Sequence, residues 1–320
     1  MKILAIQNRM GIGDTVLFLP FIKAISQKFN SPVSILVKEN SKAEQYLYNA
    51  NYIDNIIVLD RTKNPHSRHN GILGGIKLIY DLKKYKFDKI FIFNSSLRYN
   101  LVAKFSGIKE IYQYPLFKKR KQHIVDMPRK FIKDKLDLDI RENPEIKINK
   151  KLVKETIVKY KIDKDVNNIL LGIGGSGPTK RIPSSTFLNV IEKALSQKKC
   201  KFFLATGNKK DEQIILNEII HSNFGKNCVR LDHLSIKETL PIIKCCNVSI
   251  CNDSSFSHLS AALNIKTITL MADTPLIYGS YNTNMIPIIP DDVESVTHGT
   301  LGKDKINPKK IFDKLEKILF

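Results

Sequence analysis

The stretch ICNDSSFSHLSAALNIKTITLMADTP, residues 250–275, predicts the fold of this chain. It begins at the end of an apolar run and passes through a polar cluster into a helical pattern at residues 256–263. A second apolar run follows at residues 267–271. Short apolar runs joined by a helix are typical of buried parallel strands. The stretch therefore predicts a strand–helix–strand unit of an α/β sheet, with polar residues at the carboxyl end of its first strand.

The polar cluster at residues 252–255 has two interpretations. Open α/β sheets bind ligands at the carboxyl ends of their strands, and the free N–H groups at a helix start can converge on an anion. Asp253, Ser254 and Ser255 are therefore candidates for binding a phosphorylated ligand. Asp and Ser are also common helix caps, so the same residues could simply begin the helix.

The rhythm of short apolar runs and helical patterns recurs along the whole chain, over residues 1–162 and again over residues 163–306. Regular strand–helix alternation is the mark of a doubly wound α/β sheet. A polar segment without periodicity, residues 163–168, begins the second series and is the predicted linker. The sequence therefore predicts two α/β domains, followed by an amphipathic helix in residues 307–320.

Positive charge is concentrated in the first half of the chain. The 320 residues carry a formal net charge of +21; residues 1–160 hold 31 Lys or Arg against 15 Asp or Glu, and the remainder hold 21 against 16. A basic half favours partners that carry phosphate, such as nucleic acid, anionic lipid or a phosphorylated glycan. A lysine-rich overall composition would explain part of the charge but not its asymmetry.

Three features favour a cytosolic protein. The apolar start of the chain stops at Gln7, which is too short for a signal peptide. No apolar stretch approaches the roughly 18 residues of a membrane-spanning helix. The five cysteines show no CxxC spacing, which favours free thiols over a disulfide framework or a zinc site.

A glycine-rich turn, Gly-Ile-Gly-Asp at residues 11–14, follows the first apolar strand. Gly11 and Gly13 permit positive φ angles and a close approach of the backbone to a ligand. Asp14 either caps the helix that follows or projects its carboxylate over the sheet edge as a catalytic base. Pro20, inside that helix, is expected to kink or shorten its first turns.

A second glycine-rich loop, residues 172–177, matches the pattern GxGxxG literally. In a dinucleotide-binding domain a long helix begins directly at the last glycine, but Pro178 and Pro183 oppose such a helix here. We therefore interpret the loop as a cradle for a diphosphate, with positive charge supplied by Lys180 and Arg181.

Two basic segments in the first half are candidates for binding an anionic acceptor. Residues 61–75 combine Pro, Gly and two His with basic side chains, and they predict a mobile loop that carries Arg61 and Arg68. A second basic region begins at Lys118, Lys119, Arg120 and Lys121. Each segment could instead be an ordinary solvated surface.

Four segments together resemble glycosyltransferase family 9, the bacterial lipopolysaccharide heptosyltransferases. The first, Gly-Ile-Gly-Asp at residues 11–14 with Pro20, is similar to the family's amino-terminal GD…P signature. The second, Lys-Arg-Ile-Pro at residues 180–183, is similar to its K-x-W-P motif, with Ile182 in place of the usual Trp.

The other two segments lie further along the chain. Gly207 with Asp211 and Glu212 resembles the family's G…E helix start, and residues 252–259 resemble its D-[TS]-G-x-x-H motif, with Ser255 in place of Gly. The segment Ala-Asp-Thr-Pro at residues 272–275 stands where a Gly-Pro-Thr-Asp-Pro loop is usual. The resemblance spans nearly the whole chain, and the departures leave the donor sugar open.

The resemblance implies a GT-B fold, in which two Rossmann-like domains face each other across a cleft. Residues 1–162 would bind the acceptor, residues 163–306 would bind the nucleotide sugar, and the helix in residues 307–320 would pack back on the first domain. Enzymes of this kind usually need no metal or other cofactor. The string Asp-Leu-Asp at residues 137–139 matches the DxD of metal-dependent transferases, but so short a string is common by chance, and we predict no metal site.

The resemblance also implies roles for individual residues. Asp14 would be the base that deprotonates an acceptor hydroxyl, and Lys180 would stabilise the departing diphosphate. Donor-binding residues would be Gly13, Ser176, Thr179, Lys180, Asp211, Glu212, Asp253, Ser254, Ser255 and His258. Acceptor-binding residues would be Arg61, Arg68, Lys118, Lys119, Arg120 and Lys121.

The implied substrates are ADP-heptose and a phosphorylated lipid A–Kdo glycolipid at the anionic inner face of the inner membrane. One alternative is a GT-B transferase that uses another nucleotide sugar for a different surface glycan, and another is a sugar-nucleotide epimerase. A non-catalytic binder of anionic glycan or nucleic acid is a third. The sequence offers no arginine-rich recognition helix for a nucleic acid, so we expect none as a partner.

Overall fold

The computed structural model describes residues 1–9, 11–62, 64, 66–116 and 124–319. The chain forms two units, Met1–Pro144 and Glu145–Phe320. The boundary therefore precedes the predicted linker at residues 163–168. Residues 145–162, which we assigned to the first domain, belong to the second unit, because the helix Lys150–Lys159 packs against the helix Ile236–Lys244 of that unit.

The described part of the first unit is a parallel five-stranded sheet with four helices. The strands stand in the order β3-β2-β1-β4-β5, so the order reverses between β1 and β4. The elements are β1 Ile3–Ile6, α1 Ile12–Phe29, β2 Val33–Lys38, β3 Ile53–Leu59, α2 Gly71–Lys83, β4 Lys89–Ile92, α3 Leu97–Phe105, β5 Glu110–Gln113 and α4 Asp126–Leu136.

The second unit is a parallel six-stranded sheet with helices, as the described residues show it. Its strand order is β11-β10-β9-β6-β7-β8, and the order reverses between β6 and β9. The elements are α5 Lys150–Lys159, β6 Asn167–Gly172, α6 Ser184–Gln197, β7 Cys200–Ala205, α7 Lys210–Ile220, β8 Cys228–Arg230, α8 Ile236–Lys244, β9 Val248–Asn252, α9 Ser255–Ala262, β10 Lys266–Leu270, β11 Met285–Ile288 and α10 Pro308–Leu319.

Each sheet is the hydrophobic centre of its unit. The inner strands, such as β1 and β9, are buried at every residue, which is the burial pattern that parallel sheets covered on both faces require. The prediction of two doubly wound, Rossmann-like α/β units is confirmed.

The terminal helix α10 lies elsewhere than predicted. Ile311 and Leu315 are fully buried in the core of the second unit, and α10 packs against α6 of that unit. Its apolar residues at i and i+4 lie on one helical face, and the second sheet offers that face an apolar partner.

The first unit differs from the sequence-based expectations at three helices. Helix α1 begins at Ile12 and continues past Pro20, because nearly every residue from Thr15 to Ser26 is buried and tertiary packing outweighs one missing hydrogen bond. Helix α2 begins at Gly71, inside the predicted loop. Helix α4 was missed, because its many charged residues obscured a buried stripe that includes Phe131 and Ile132.

Candidate functional site

A buried cluster of charged and polar side chains lies at the reversal point of the second sheet. Asp253 follows β9, and Lys180 lies in the loop between β6 and α6. The ammonium Nζ of Lys180 donates to Oδ2 of Asp253 at 2.7 Å, and Nε2 of His258 lies 3.9 Å from Oδ1. Asp253 and His258 are each 5 % exposed. The sequence placed these three residues in one site, and the fold brings them together.

The charges in this cluster are fixed by their surroundings. Burial alone would raise the pKa of Asp253, but the nearby charge of Lys180 and its hydrogen bond to the carboxylate hold that pKa below its usual value. Burial lowers the pKa of His258, and the attraction of Asp253 opposes that shift only in part. At neutral pH the cluster therefore contains the ionised Asp253 carboxylate and the neutral His258 imidazole.

Tyr281 completes the cluster from the segment before β11. Its hydroxyl lies 2.8 Å from Nδ1 of His258, and the two rings stack with their centroids 5.6 Å apart. These contacts fix the orientation of the imidazole. No signal in the sequence identifies Tyr281, because only the fold brings it next to a histidine 23 residues away.

The lowered pKa of His258 predicts a loss of stability as the pH falls. In the folded chain the pKa of His258 is lowered, whereas in the unfolded chain a histidine binds its proton near pH 6.5. The free energy of unfolding should therefore decrease as the pH falls from about 6.5 toward the folded-state pKa, by at most about 1.4 kcal/mol per pH unit for one group. Thermal unfolding at a series of pH values measures this slope.

His258→Gln provides the comparison for that prediction. It removes the titrating group, so the difference in melting temperature between wild type and variant should narrow as the pH falls from about 6.5. His221→Gln, at the C-terminal end of α7 and outside the cluster, is the matched control for the loss of a histidine side chain. Parallel curves for wild type and His258→Gln would contradict the prediction.

The glycine-rich loop after β6 is held by Glu212 and Asn252. Oε1 of Glu212 accepts the N–H of Gly175 at 2.9 Å, and the amide of Asn252 donates to the carbonyl of Ile173 at 2.8 Å. A Cβ atom on Gly174 would lie 2.7 Å from the Glu212 carboxylate, so the close packing requires glycine. Glu212, predicted to bind the donor, thus fixes the loop.

Lys180 and Arg181 are neighbours in sequence but have different roles in the fold. The Arg181 side chain is 7 % exposed, and its Nε donates to the carbonyl of Gly175 at 3.2 Å. Its Nη1 donates to Oδ2 of Asp211 at 2.9 Å, and this hydrogen bond lowers the pKa of Asp211. Arg181 therefore braces the loop, whereas Lys180 points to Asp253.

The long gap between the loop and α6 agrees with the sequence interpretation. A short 3₁₀ turn, Pro178–Lys180, follows the last glycine, and α6 begins only at Ser184. Ser176 is exposed in this loop. The Thr179 hydroxyl hydrogen-bonds to Asp273, whose Oδ1 also accepts the N–H groups of Gly299 and Leu301. No helix starts directly at the glycines, as the prolines predicted.

The start of α9 lacks the cap that the sequence allowed as an alternative. Ser254 occupies the N-cap position without a side-chain capping bond, and the Asp253 carboxylate turns to Lys180 instead. Among the residues that the structure describes, the buried Oγ of Ser254 has no hydrogen-bond partner. Ser255 is half-buried in the first turn. A free hydroxyl and free helix N–H groups next to an ammonium are suited to binding an anion.

In the first unit, Asp14 lies at the carboxyl end of β1, next to the point where that sheet reverses. It is the third residue of α1 and half-buried, and the N-cap of that helix is Gly11, whose φ of 104° requires glycine. The buried amide of Gln7 donates to the Asp14 carbonyl at 3.0 Å. Gly13 is half-buried in the same turn. Asp14 is therefore not the cap residue of α1, although it belongs to its first turn.

Two residues of the basic loop after β3, Arg68 and His69, contact the same acidic side chain of α2. Arg68 makes two hydrogen bonds of 2.8 Å to the Asp81 carboxylate, and Nε2 of the buried His69 lies 3.1 Å from the same group. Nδ1 of His69 accepts the N–H of Asp60 at 3.0 Å. Arg68 is thus bound to an acidic residue of α2. Arg61 is half-buried at the start of the loop. The predicted acceptor residues Lys118, Lys119, Arg120 and Lys121 lie outside the described residues.

No cluster of three or more His, Cys, Asp or Glu with the geometry of a metal site occurs in the described ranges. The two carboxylates of the DxD string form ion pairs with neighbouring basic side chains. Asp137 accepts from Lys133 at 2.6 Å, and Asp139 accepts from Arg141 at 2.7 Å.

Comparison with known proteins finds a matching family and related sequences. The family model described as glycosyltransferase family 9 (heptosyltransferase) matches residues 77–296. Lipopolysaccharide heptosyltransferase 1 of Campylobacter coli is 23 % identical over 317 residues, which cover 90 % of this chain and 89 % of that protein.

Two solved structures share the fold. An ADP-heptose lipopolysaccharide heptosyltransferase II of Escherichia coli has a TM-score of 0.75 at 16 % identity, with 100 % of this chain and 98 % of that chain covered. A glycosyltransferase of family 9 from Veillonella parvula has a TM-score of 0.79 at 18 % identity, with 99 % and 97 % covered.

Proposed function

The chain belongs to glycosyltransferase family 9, the heptosyltransferase family, and on that premise we propose that it transfers a heptose from ADP-heptose to a lipopolysaccharide-core acceptor. The resemblance inferred from the sequence is confirmed, and glycosyl transfer follows from the family. The observation that carries the finer proposal is the Lys180 ammonium, held 2.7 Å from the buried Asp253 at the reversal point of the second sheet.

The second unit binds the nucleotide sugar in this proposal. Lys180 and the N-terminus of α9 supply positive potential for the diphosphate, and Ser254 and Ser255 supply hydrogen bonds. Asp211 and Glu212, at the start of α7, are positioned for nucleotide hydroxyls, although both also brace the glycine loop. Asp253 orients Lys180 through their hydrogen bond, and His258 lies on the other carboxylate oxygen of Asp253.

The proposed reaction is an inverting displacement. The Asp14 carboxylate takes the proton of an acceptor hydroxyl, and the oxygen forms a bond to the anomeric carbon. The bond from that carbon to the diphosphate oxygen breaks on the opposite face, and its electron pair leaves with ADP. Lys180 stabilises the negative charge that develops on the diphosphate, so the proposal requires no metal ion or other cofactor.

The basic first unit supports a phosphorylated acceptor. Arg61 and the lysine- and arginine-rich run at residues 118–121 are the proposed contacts for acceptor phosphates of the lipid A–Kdo type. Arg68 is the weaker candidate, because its guanidinium already donates two hydrogen bonds to the Asp81 carboxylate. The net charge of residues 1–160 also supports work at the anionic cytoplasmic face of an inner membrane.

The direct test is transfer from ADP-heptose to a deacylated Kdo–lipid A acceptor, with and without EDTA. We expect product at the same rate in both conditions, because Lys180 rather than a divalent ion neutralises the diphosphate. A rate that falls at least tenfold with EDTA and returns with added magnesium would overturn metal independence. The matched specificity control replaces ADP-heptose with other nucleotide sugars, which should yield no product.

Other outcomes separate the alternatives. No turnover of ADP-heptose, with turnover of a different nucleotide sugar, would replace the donor while keeping the transferase. Conversion of the nucleotide sugar without any acceptor would instead indicate an epimerase. Binding of anionic glycan or nucleic acid without turnover, with an affinity that falls steeply as salt rises, would indicate a binding protein.

A further inference from the structure

Two neighbouring helices of the first unit, α2 and α3, expose an unusual number of large apolar side chains. On α2, Ile72, Leu73 and Tyr80 are 85 %, 74 % and 63 % exposed, and on α3 Phe105 is 67 % exposed. Ile76, Leu97 and Leu101 add to the same set at 40–44 %. Scattered exposed apolar residues are normal, but seven on one helix pair are a concentration that marks an interaction surface.

The two helices run side by side in the same direction, so their apolar residues form one surface. At the start of both, the Arg98 guanidinium on α3 donates to the carbonyls of Gly71 and His69 at 2.6 and 2.7 Å. Near their ends, the Ser106 hydroxyl donates to the carbonyl of Ile79 at 3.4 Å.

Helical spacing aligns the exposed side chains into two ridges. On α2 the ridge contains residues 72, 76 and 80, and on α3 it contains residues 97, 101 and 105, each at intervals of four. Residues at i, i+4 and i+8 lie along one helical face. We call this surface the apolar ridge pair; it consists of Ile72, Leu73, Ile76, Tyr80, Leu97, Leu101 and Phe105.

Exposed lysines border the apolar ridge pair on both helices, although one lysine of this region, Lys89, pairs with Glu110. Residues 71–109 contain eight Lys or Arg and two Asp. Lys77 on α2 and Lys104 on α3 are exposed, as is Lys109 just beyond α3. One of the two acids, Asp81, is already neutralised by Arg68. The surface thus combines an apolar centre with a cationic surround.

We propose that the apolar ridge pair is the face by which this chain lies on an anionic phospholipid bilayer. The apolar side chains would enter the boundary between headgroups and acyl chains, while the lysines would bind lipid phosphates, as amphipathic surface helices do. Long lysine side chains can keep their ammonium groups at headgroup level while their methylene stems cover apolar surface.

The charge distribution selects a bilayer over a second copy of this chain. A symmetric dimer through this face would bring two cationic surfaces together, and like charges across an interface disfavour association. An anionic membrane satisfies both the apolar centre and the cationic surround. This inference deepens the membrane association proposed above by naming the face.

The test is sedimentation of the full-length protein with vesicles of phosphatidylcholine, with and without phosphatidylglycerol, and with no donor or acceptor present. We expect binding to the anionic vesicles. The variant Ile72→Ser/Phe105→Ser should lower the partition coefficient by about tenfold or more, because it removes two large apolar side chains from the membrane interface. Lys77→Glu/Lys104→Glu should lower it on anionic vesicles by a similar factor.

The matched control is Val158→Ser/Ile214→Ser, which changes two exposed apolar residues of the second unit, 78 % and 49 % exposed, and should leave vesicle binding unchanged. Equal binding by Ile72→Ser/Phe105→Ser and wild type, or no wild-type binding at low salt, would overturn the proposal. A wild-type dimer that this variant converts to a monomer, without vesicle binding, would assign the face to a second copy instead.

The proposed function can fail without affecting this test, because the vesicles contain no substrate. Conversely, the rate of Ile72→Ser/Phe105→Ser on a deacylated, water-soluble acceptor should equal that of wild type. Thermal unfolding of each variant should match wild type as well, because the substituted side chains are exposed and contribute little to the core.

Discussion

Replacing Asp14 with asparagine lowers kcat for transfer by about 10²–10⁴-fold in the reaction that we propose, while the chain remains folded. Asparagine keeps the size of the side chain but cannot accept the proton of the acceptor hydroxyl. Gly11, and not Asp14, occupies the N-cap position of α1. Steady-state rates at saturating donor and acceptor measure the effect.

Asp126→Asn is the matched control for Asp14. Asp126 is likewise an acid in the first turn of a helix of the first unit, so its replacement removes a similar favourable charge from the N-terminus of α4. The control should lower the free energy of unfolding by no more than about 1 kcal/mol and leave kcat unchanged. Equal rates for Asp14→Asn and wild type would remove Asp14 from the mechanism but leave the family assignment intact.

Replacing Lys180 with methionine lowers kcat by about 10²–10³-fold, because the departing diphosphate loses its fixed positive charge. Methionine keeps the length and apolar stem of the side chain. Lys180→Arg should retain part of the rate, since it restores charge with a different shape. A change confined to KM, with kcat unchanged, would show that Lys180 binds ground state and transition state equally.

The same substitution has a structural consequence that must be measured separately. Without Lys180 the Asp253 carboxylate is a buried charge that has lost its closest cation, which we expect to cost about 3 kcal/mol of folding free energy at neutral pH. The difference from wild type should shrink as the pH falls toward about 4, because protonation neutralises the buried carboxylate in the variant. The wild-type ion pair is lost only at lower pH, since Lys180 holds the pKa of Asp253 below its usual value.

Two further variants separate chemistry from folding. In Lys180→Met/Asp253→Asn the buried charge is gone, so stability should recover while kcat stays low. Lys201→Met is the matched control: this lysine also has a partly buried bond, from Nζ to the Tyr160 carbonyl at 2.8 Å, but it lies at the other end of the second sheet. It should leave kcat unchanged. Full recovery of kcat in the double variant would contradict a catalytic role for Lys180.

Much of the fold was readable because parallel sheets impose a simple pattern. Fully buried strands such as β6 and β9 appear as short apolar runs, and glycine-rich or polar turns follow them. The pattern failed where tertiary contacts outweigh local preference. Helix α1 tolerates Pro20, and α4 hides an apolar stripe among charges. The apolar stripe of α10 shows that the helix packs on a core, but only the fold shows that this is the core of the second unit.

The candidate site was predictable to the level of residue types at strand ends. Lys180, Asp253 and His258 were identified from motif spacing, and they do form one cluster. The partners that brace the site were not identified. Tyr281 lies far along the chain in a segment without a motif. Arg181 could not be told from Lys180, because both are cations in the same short loop.

The sequence by itself determined the two doubly wound sheets, the glycine-rich loops that follow β1 and β6, and the family, because these depend on apolar periodicity and on residues close together along the chain. Only the tertiary structure decided which way each side chain turns. It directed Lys180 to Asp253 and Arg181 to Gly175, and it gathered seven exposed apolar residues on α2 and α3. The physical reason is that these contacts join segments distant in sequence, and burial and hydrogen bonding between them exist only once the sheets have formed.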